Sequence, residues 1–210
     1  MRAFLSGLFD RGQVPLREIA AHFNRAAADE EHYPSSVDPR IYHVRLLLEH
    51  FGDLSGRRVL DAGCGKGRFA RVLLGEYPGA SLCALDLAEA MLRFVPPEMA
   101  RCAASITAMP FASASFDCAY ATESLEHAID IEAAVAELCR VVKPGGRIAI
   151  IDKNAKHWGR LKTPKWEKWF SQKALERLLR LHCRQVSSRP ISYWEDVAPD
   201  GLFLAWLAVK

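Results

Sequence analysis

The 210 residues carry a net charge of +3, half of them apolar and a quarter charged, which suits one globular domain of ample core and excludes a disordered or fibrous chain. No apolar run approaches the ~20 residues of a membrane span, and Asp10 and Arg11 cut the Met1–Asp10 opening too short for a signal peptide. Six cysteines stand apart, without Cys-x-x-Cys or histidines at ligand spacing, so the expectation is a reduced, cytoplasmic protein without a structural metal.

In chain order, residues 15–32 read as a helix opening at Pro15, with Ile19, Phe23 and Ala26 at helical spacing. Tyr33-Pro34 breaks it. Asp38-Pro39 then offers an N-cap and a first-turn proline to a second helix, whose Ile41, Val44, Leu47, Leu48 and Phe51 share one face. Strands at 57–62, 80–86, 101–105, 116–122 and 146–152 alternate with helices near 66–75, 88–95 and 130–142, the pattern of a parallel sheet covered on both faces. Asp130 caps the last of these helices and Lys143-Pro-Gly-Gly146 stops it. From Lys153 to Phe170 periodicity is lost among Trp158, Trp166 and Trp169. Ser171 then caps a helix facing inward with Leu175, Leu178 and Leu179, and strands follow at 183–188 and 201–210. Charge is uneven: Lys153 to Pro190 holds eleven Lys and Arg against two Glu, leaving the remainder mildly acidic.

The stretch Val59-Leu-Asp-Ala-Gly-Cys-Gly-Lys-Gly-Arg-Phe-Ala70 reads as a buried strand turning into a helix through a glycine loop. Such a loop lets backbone approach a ligand, and the helix points free N–H groups into the same space. A dinucleotide loop follows Gly-x-Gly-x-x-Gly; here the third glycine comes one residue early and Arg68 stands in its place. Asp61 would repel a pyrophosphate but suits an ammonium or sulfonium. Asp86, 25 residues on, is placed to hold ribose hydroxyls. A cationic donor with a ribose fits both acids, S-adenosylmethionine is such a donor, and NAD is disfavoured.

Five blocks between residues 57 and 152 carry a family resemblance: Val59–Gly67, Ala84–Leu92, Met109–Asp117, Ser124-Leu-Glu-His127 and Glu137–Gly146. In order and spacing the chain resembles the class I S-adenosylmethionine-dependent methyltransferases of small molecules. The resemblance implies an α/β, Rossmann-like, doubly wound sheet of seven strands, mostly parallel, with an antiparallel terminal strand. It implies a helical cover over residues 1–52 and a cofactor-binding core over 53–210, with a basic, Trp-rich lid at 153–170. Asp61, Gly63, Cys64, Gly65 and Gly67 would hold the methionine end of S-adenosylmethionine and Asp86 its ribose. Leu87 and Ile106 would flank the adenine, and Tyr33 is a candidate contact from the cover. Ser105 stands where many relatives place an aspartate that accepts from the adenine amine, so a weaker adenine contact is expected.

Thr122 and Glu123 would point near the methyl group, with Glu123 and His127 as candidate bases. A base is not essential, because in-line orientation alone supplies much of the acceleration. Trp158, Trp166 and Lys153 would shape the acceptor pocket, the cation suiting a small anionic or sugar-bearing metabolite. Two other readings stand beside this one. RNA modification through the basic 153–190 segment is disfavoured, since the fourth strand lacks the Asn/Asp-Pro-Pro-aromatic signature. A non-catalytic cofactor-binding partner subunit draws slight support from Ser105.

Overall fold

The computed structural model describes residues 14–194 and 196–210; the Met1–Asp10 opening lies outside them. Five apolar segments form parallel strands: β1 (Arg58–Ala62), β2 (Ser81–Asp86), β3 (Ala100–Ala103), β4 (Phe116–Thr122) and β5 (Val142–Lys153). After them come β6 (Gln185–Ile191) and β7 (Phe203–Val209), with β7 antiparallel to both β5 and β6. The sheet order is β3-β2-β1-β4-β5-β7-β6. Strands buried on both faces must be apolar on both, and the two-residue alternation divides them into two cores. Leu60, Ala119, Ala121, Ile148 and Ile150 face one layer, with α5 (Ile131–Val141) and α6 (Gln172–Arg180). Val59, Tyr120, Ala149 and Ile151 face the other, with α2 (Tyr42–Phe51) and α3 (Arg68–Glu76).

Helix ends differ from expectation for local reasons. The first helix, α1 (Leu16–Ala26), stops well short of residue 32. Asp29 takes the N–H groups of Glu31 and His32 at 3.0 Å on one carboxylate oxygen, turning the chain where the alanine run would continue it. Asp38 does not cap α2. It folds onto Arg40, accepting that residue's N–H at 2.9 Å and its guanidinium at 2.6 Å, and α2 starts at Tyr42. The helix expected at 88–95 is one turn, α4 (Glu89–Leu92), short of Pro96-Pro97. Asp130 caps α5 as read, accepting the N–H of Ala133 at 2.9 Å. Val142 then passes straight from α5 into β5, whose pairing with β4 shifts register between Phe116 and Cys118.

One buried histidine makes the fold acid-sensitive. His43 on α2 is fully buried, neither ring nitrogen has a partner, and it lies among Phe69, Tyr193 and Phe203. Burial pushes its pKa down to about 4. Between that value and the ordinary ~6.5 the unfolded chain binds the extra proton, so stability falls as pH drops through this window, by about 2 kcal/mol at pH ~5. Thermal melts should show that His43→Leu loses less stability than wild type between neutral pH and pH ~5. Equal losses would assign the acid sensitivity elsewhere.

Candidate functional site

At the carboxyl ends of β1, β2 and β4 lies a cavity of about 420 Å³, covered by Leu16, Ile19 and Phe23 of α1 and by residues 161–164. It opens where the strand order reverses between β1 and β4, the crevice in which doubly wound sheets bind ligands.

The glycine loop forms one wall. The N–H groups of Gly63 and Cys64 donate to the Leu85 carbonyl at 2.7 and 3.0 Å, and Gly65 donates to Asp86 Oδ2 at 2.7 Å, so β1's loop is fastened to the end of β2. Gly63 has φ +78°, and a Cβ there would sit 2.4 Å from the Ser124 side chain. Gly65, at φ +53°, lines the cavity, and a Cβ on it would enter open space. Gly67 lies off the cavity: it caps α3 in the left-handed region and packs toward Val95.

Two buried acids stand beside this loop. Asp61 is 3% exposed; its Oδ2 and the hydroxyl of the adjacent Tyr120 are both buried without a well-formed hydrogen bond, and that hydroxyl favours the ionised carboxylate. Burial pushes its pKa up to about 7. Asp86 already accepts Gly65 and Ala88 N–H, one on each oxygen, and burial raises its pKa too. Each oxygen keeps a second lone pair for a ligand hydroxyl. Leu87, Ser105, Ile106 and Tyr33 line the same cavity with Met91. The Ser105 hydroxyl is engaged with that of Thr107 at 2.7 Å, and Tyr33 meets His22 at 3.3 Å.

Polar groups crowd the other end. Glu123 follows β4 at φ +52° and pairs with Arg68 at 2.9 Å, which balances its charge. The adjoining 3₁₀ turn, Leu125–His127, brings in Glu126 and His127. Burial drives His127 down to about 3, so its imidazole is neutral at physiological pH, and its Nδ1 has no partner. Lys153, at the end of β5, donates to Glu126 Oε1 and, at 3.2 Å, to Glu167 Oε1, which also accepts Trp169 Nε1 at 2.7 Å. Asp152 takes the N–H of Glu126 and of Lys153. Burial raises Glu126 well above the usual carboxylate range and Asp152 to about 6. Burial works against the Lys153 ammonium, yet the surrounding carboxylates hold its pKa above the ordinary lysine value. Glu126, His127 and Glu167 bring ligand atoms within 4.8 Å of one another, a spacing open to a divalent ion; the ammonium of Lys153 takes the cationic place among these carboxylates.

Of the residues singled out in the sequence, Asp61, Gly63, Cys64, Gly65, Asp86, Leu87, Ser105, Ile106, Tyr33, Glu123, His127 and Lys153 line one cavity. Trp158 and Trp166 do not: Trp158 packs edge-on to Trp169 and Trp166 to His22. Arg68, Glu126 and Glu167 also line the site. In the sequence Arg68 stands out only as the departure from a dinucleotide loop, and nothing beyond adjacency to His127 marks Glu126.

The methyltransferase domain family matches residues 60–150, from the middle of β1 into β5. Residues 60–150 thus carry a methyltransferase domain of that family. It is 38% identical over 139 residues to the malonyl-acyl-carrier-protein O-methyltransferase of Pseudescherichia vulneris, covering 65% of this chain and 53% of that protein. With the O-methyltransferase resE of Aspergillus sclerotiorum it shares 33% over 163 residues, covering 71% and 61%. The chain thus spans about half the length of the first curated relatives it matches. Among solved structures, the geranyl diphosphate C-methyltransferase of Streptomyces coelicolor A3(2) superposes with TM-score 0.69 at 15% identity, over 96% of this chain and 100% of that one. The 4+2 cyclase SpnF superposes with TM-score 0.77 at 15% identity, over 95% and 99%. These likenesses establish the methyltransferase fold, and a cyclase among them means that the fold alone does not decide the reaction. Lys153, Glu167 and the 161–164 rim lie beyond the matched stretch.

Proposed function

We propose that the chain transfers a methyl group from S-adenosylmethionine to a small-molecule acceptor. The observation that carries this is Asp61, a buried carboxylate with an unsatisfied oxygen that lines the cavity together with Gly65. An ammonium in that space would satisfy it, Asp86 would take ribose hydroxyls, and Leu87, Ile106 and Met91 supply an apolar slot for a flat base. The residues present therefore fit the donor. Bound there, S-adenosylmethionine supplies a methyl group on a sulfonium, which leaves as a neutral thioether.

The protein's part is orientation, exclusion of water and, for a hydroxyl acceptor, removal of a proton. His127, held neutral, is suited to orient such a hydroxyl by a hydrogen bond, whereas a group that protonates only near pH 3 is a weak base. Glu123 is committed to Arg68 and steers charge at the methyl end. Glu126, which lines this end of the cavity, is the carboxylate we assign to take the proton. The O-methyltransferase names of the relatives support an oxygen acceptor. With Lys153 held between Glu126 and Glu167, any anionic part of that acceptor, or of a sugar-bearing one, meets Lys162 at the rim instead.

Calorimetry with S-adenosylhomocysteine, and NAD as control, tests the donor site. Asp61 adds a sign. The ligand ammonium favours the ionised carboxylate, so affinity should rise with pH across about 7 and binding should release a proton. Titrations in buffers of different ionisation heat would show that release, and Asp61→Asn should abolish it. A flat pH profile in wild type would remove Asp61 from ammonium recognition, and tight NAD binding would sink the donor assignment.

A further inference from the structure

We propose that Cys139 and Cys183 form a modification site, a pair of thiols that a peroxide or a small disulfide oxidises reversibly to a disulfide bond. The fold brings them together from 44 positions apart, with their sulfurs 3.7 Å from one another. Cys139 lies near the end of α5 and Cys183 in the turn between α6 and β6. Sulfurs in a disulfide stand about 2 Å apart, so a small swing of the two side chains closes the gap. The pair sits at the amino ends of β5 and β6, the opposite end of the strands from the cavity, and neither thiol lines that cavity.

The two thiols differ in the way such a reaction needs. Cys183 is 8% exposed and its neighbours Leu181, His182 and Arg184 face solvent, so a local opening of this turn uncovers it; Cys139 is 1% exposed. The thiolate is the reactive form, and hydrogen bonds and nearby cations favour it. The hydrogen bond with Cys139 lowers the pKa of Cys183 against the opposing effect of burial. The ammonium of Lys210, which donates to the Val142 carbonyl at 2.8 Å beside the end of α5, lowers it further. Cys183 is therefore the sulfur that attacks, and Cys139 is the one that resolves.

With hydrogen peroxide, the Cys183 thiolate attacks one oxygen: an S–O bond forms, the O–O bond breaks and hydroxide leaves. The Cys139 sulfur then attacks the Cys183 sulfur; the S–S bond forms, the S–O bond breaks, and hydroxide departs with the Cys139 proton as water. Two thiols are oxidised and one peroxide is reduced to two waters. Oxidised glutathione reaches the same bond through a mixed disulfide and leaves as two reduced thiols. The bond closes a loop that holds β5, α6, Lys153, Glu167 and residues 161–164, so the segment that builds one end of the cavity becomes harder to open. Thiols that serve only as small apolar side chains would instead stay reduced until the protein unfolds.

The test exposes the folded, reduced full chain to hydrogen peroxide or oxidised glutathione, then alkylates and digests it. Peptide mass spectrometry is expected to find Cys139 joined to Cys183 with the loss of two hydrogens, and dithiothreitol should reverse the link. The oxidised protein should melt about 5–10 °C above the reduced one. Cys139→Ala should abolish that rise and leave Cys183 as a sulfenic acid that dimedone traps; should this variant fail to fold, the wild-type measurement decides alone. Cys183 staying reduced in the folded protein, its linkage to another thiol, a Cys83–Cys102 bond forming in its stead, or a link that appears only in denaturant would each overturn the proposal. An oxidised protein that melts no higher than the reduced one would overturn the locking of the loop.

Discussion

Replacing Asp86 by alanine is expected to lower affinity for S-adenosylhomocysteine about a hundredfold or more, equivalent to ~2.8 kcal/mol. Hydrogen bonds to a charged acceptor are worth about 1.5–3 kcal/mol each, and the carboxylate is proposed to accept from ribose while already accepting from Gly65 and Ala88. The substitution acts twice. It removes the ribose acceptor, and it frees the glycine loop from the end of β2. Asp86→Asn separates these effects, because its amide oxygen can keep one backbone bond while the charge is gone. Calorimetry should place the asparagine variant between alanine and wild type, and ligand-free melts should show a smaller loss for asparagine than for alanine. Alanine binding within a few-fold of wild type would remove Asp86 from ligand recognition and leave it a loop fastener.

The second large effect is on stability. Lys153→Met should destabilise the fold by about 3–5 kcal/mol at neutral pH, the range for removing one partner of a buried ion pair. Glu126 and Glu167 are 1% and 3% exposed and Asp152 is fully buried, so the substitution strands three carboxylates beside a methionine. Acid should repair part of the loss. Without the ammonium the folded-state carboxylates rise further above their unfolded values, the folded chain binds more protons, and stability climbs as pH falls toward about 5. Adding Glu126→Gln, which takes away one of the stranded charges, should recover part of the loss at neutral pH. Melting curves of the single and double variants across pH give the answer. A Lys153→Met protein as stable as wild type at neutral pH would mean that the carboxylates are already protonated and the cluster is held by hydrogen bonds alone.

What could be read from the chain beforehand was whatever depends on neighbours in sequence. The buried strands announce themselves by apolar runs, and the loop from Asp61 to Gly67 is a local motif whose acid and glycines need no distant partner to be recognised. Asp130 capping α5 is equally local. The acceptor end is not. Glu126, Lys153 and Glu167 come from a 3₁₀ turn, the end of β5 and an irregular loop, and only the folded sheet brings them within hydrogen-bonding distance. Lys153 therefore read as a free cation for substrate, when two acids from other parts of the chain hold it. Trp158 and Trp166 read as pocket walls because tryptophan supplies area, but nothing in their spacing told which ring would find another aromatic to lean on. The early end of α1 has the same cause in miniature: the alanines favour helix, and Asp29 overrides them by taking backbone donors for itself.

The attachment of α1 has a consequence for timing. The helix is not part of either large core; Phe23 and Ala26 join a small separate cluster with Ala27, Ala88 and Met91. Phe23 also packs edge-on to His127 and His22 to Trp166, and polar ties add to these, Asn24 to the N–H of Ala90 at 2.9 Å and Glu30, just beyond the helix, to Lys66 at 2.6 Å. Lifting it would break these contacts while the sheet stays intact, so it is expected to open more readily than the whole protein unfolds. Were S-adenosylmethionine held as proposed, α1 would form part of its wall. Weakening the Glu30–Lys66 tie is then expected to quicken release of S-adenosylhomocysteine in stopped-flow measurements, and an unchanged release rate would remove this tie from gating.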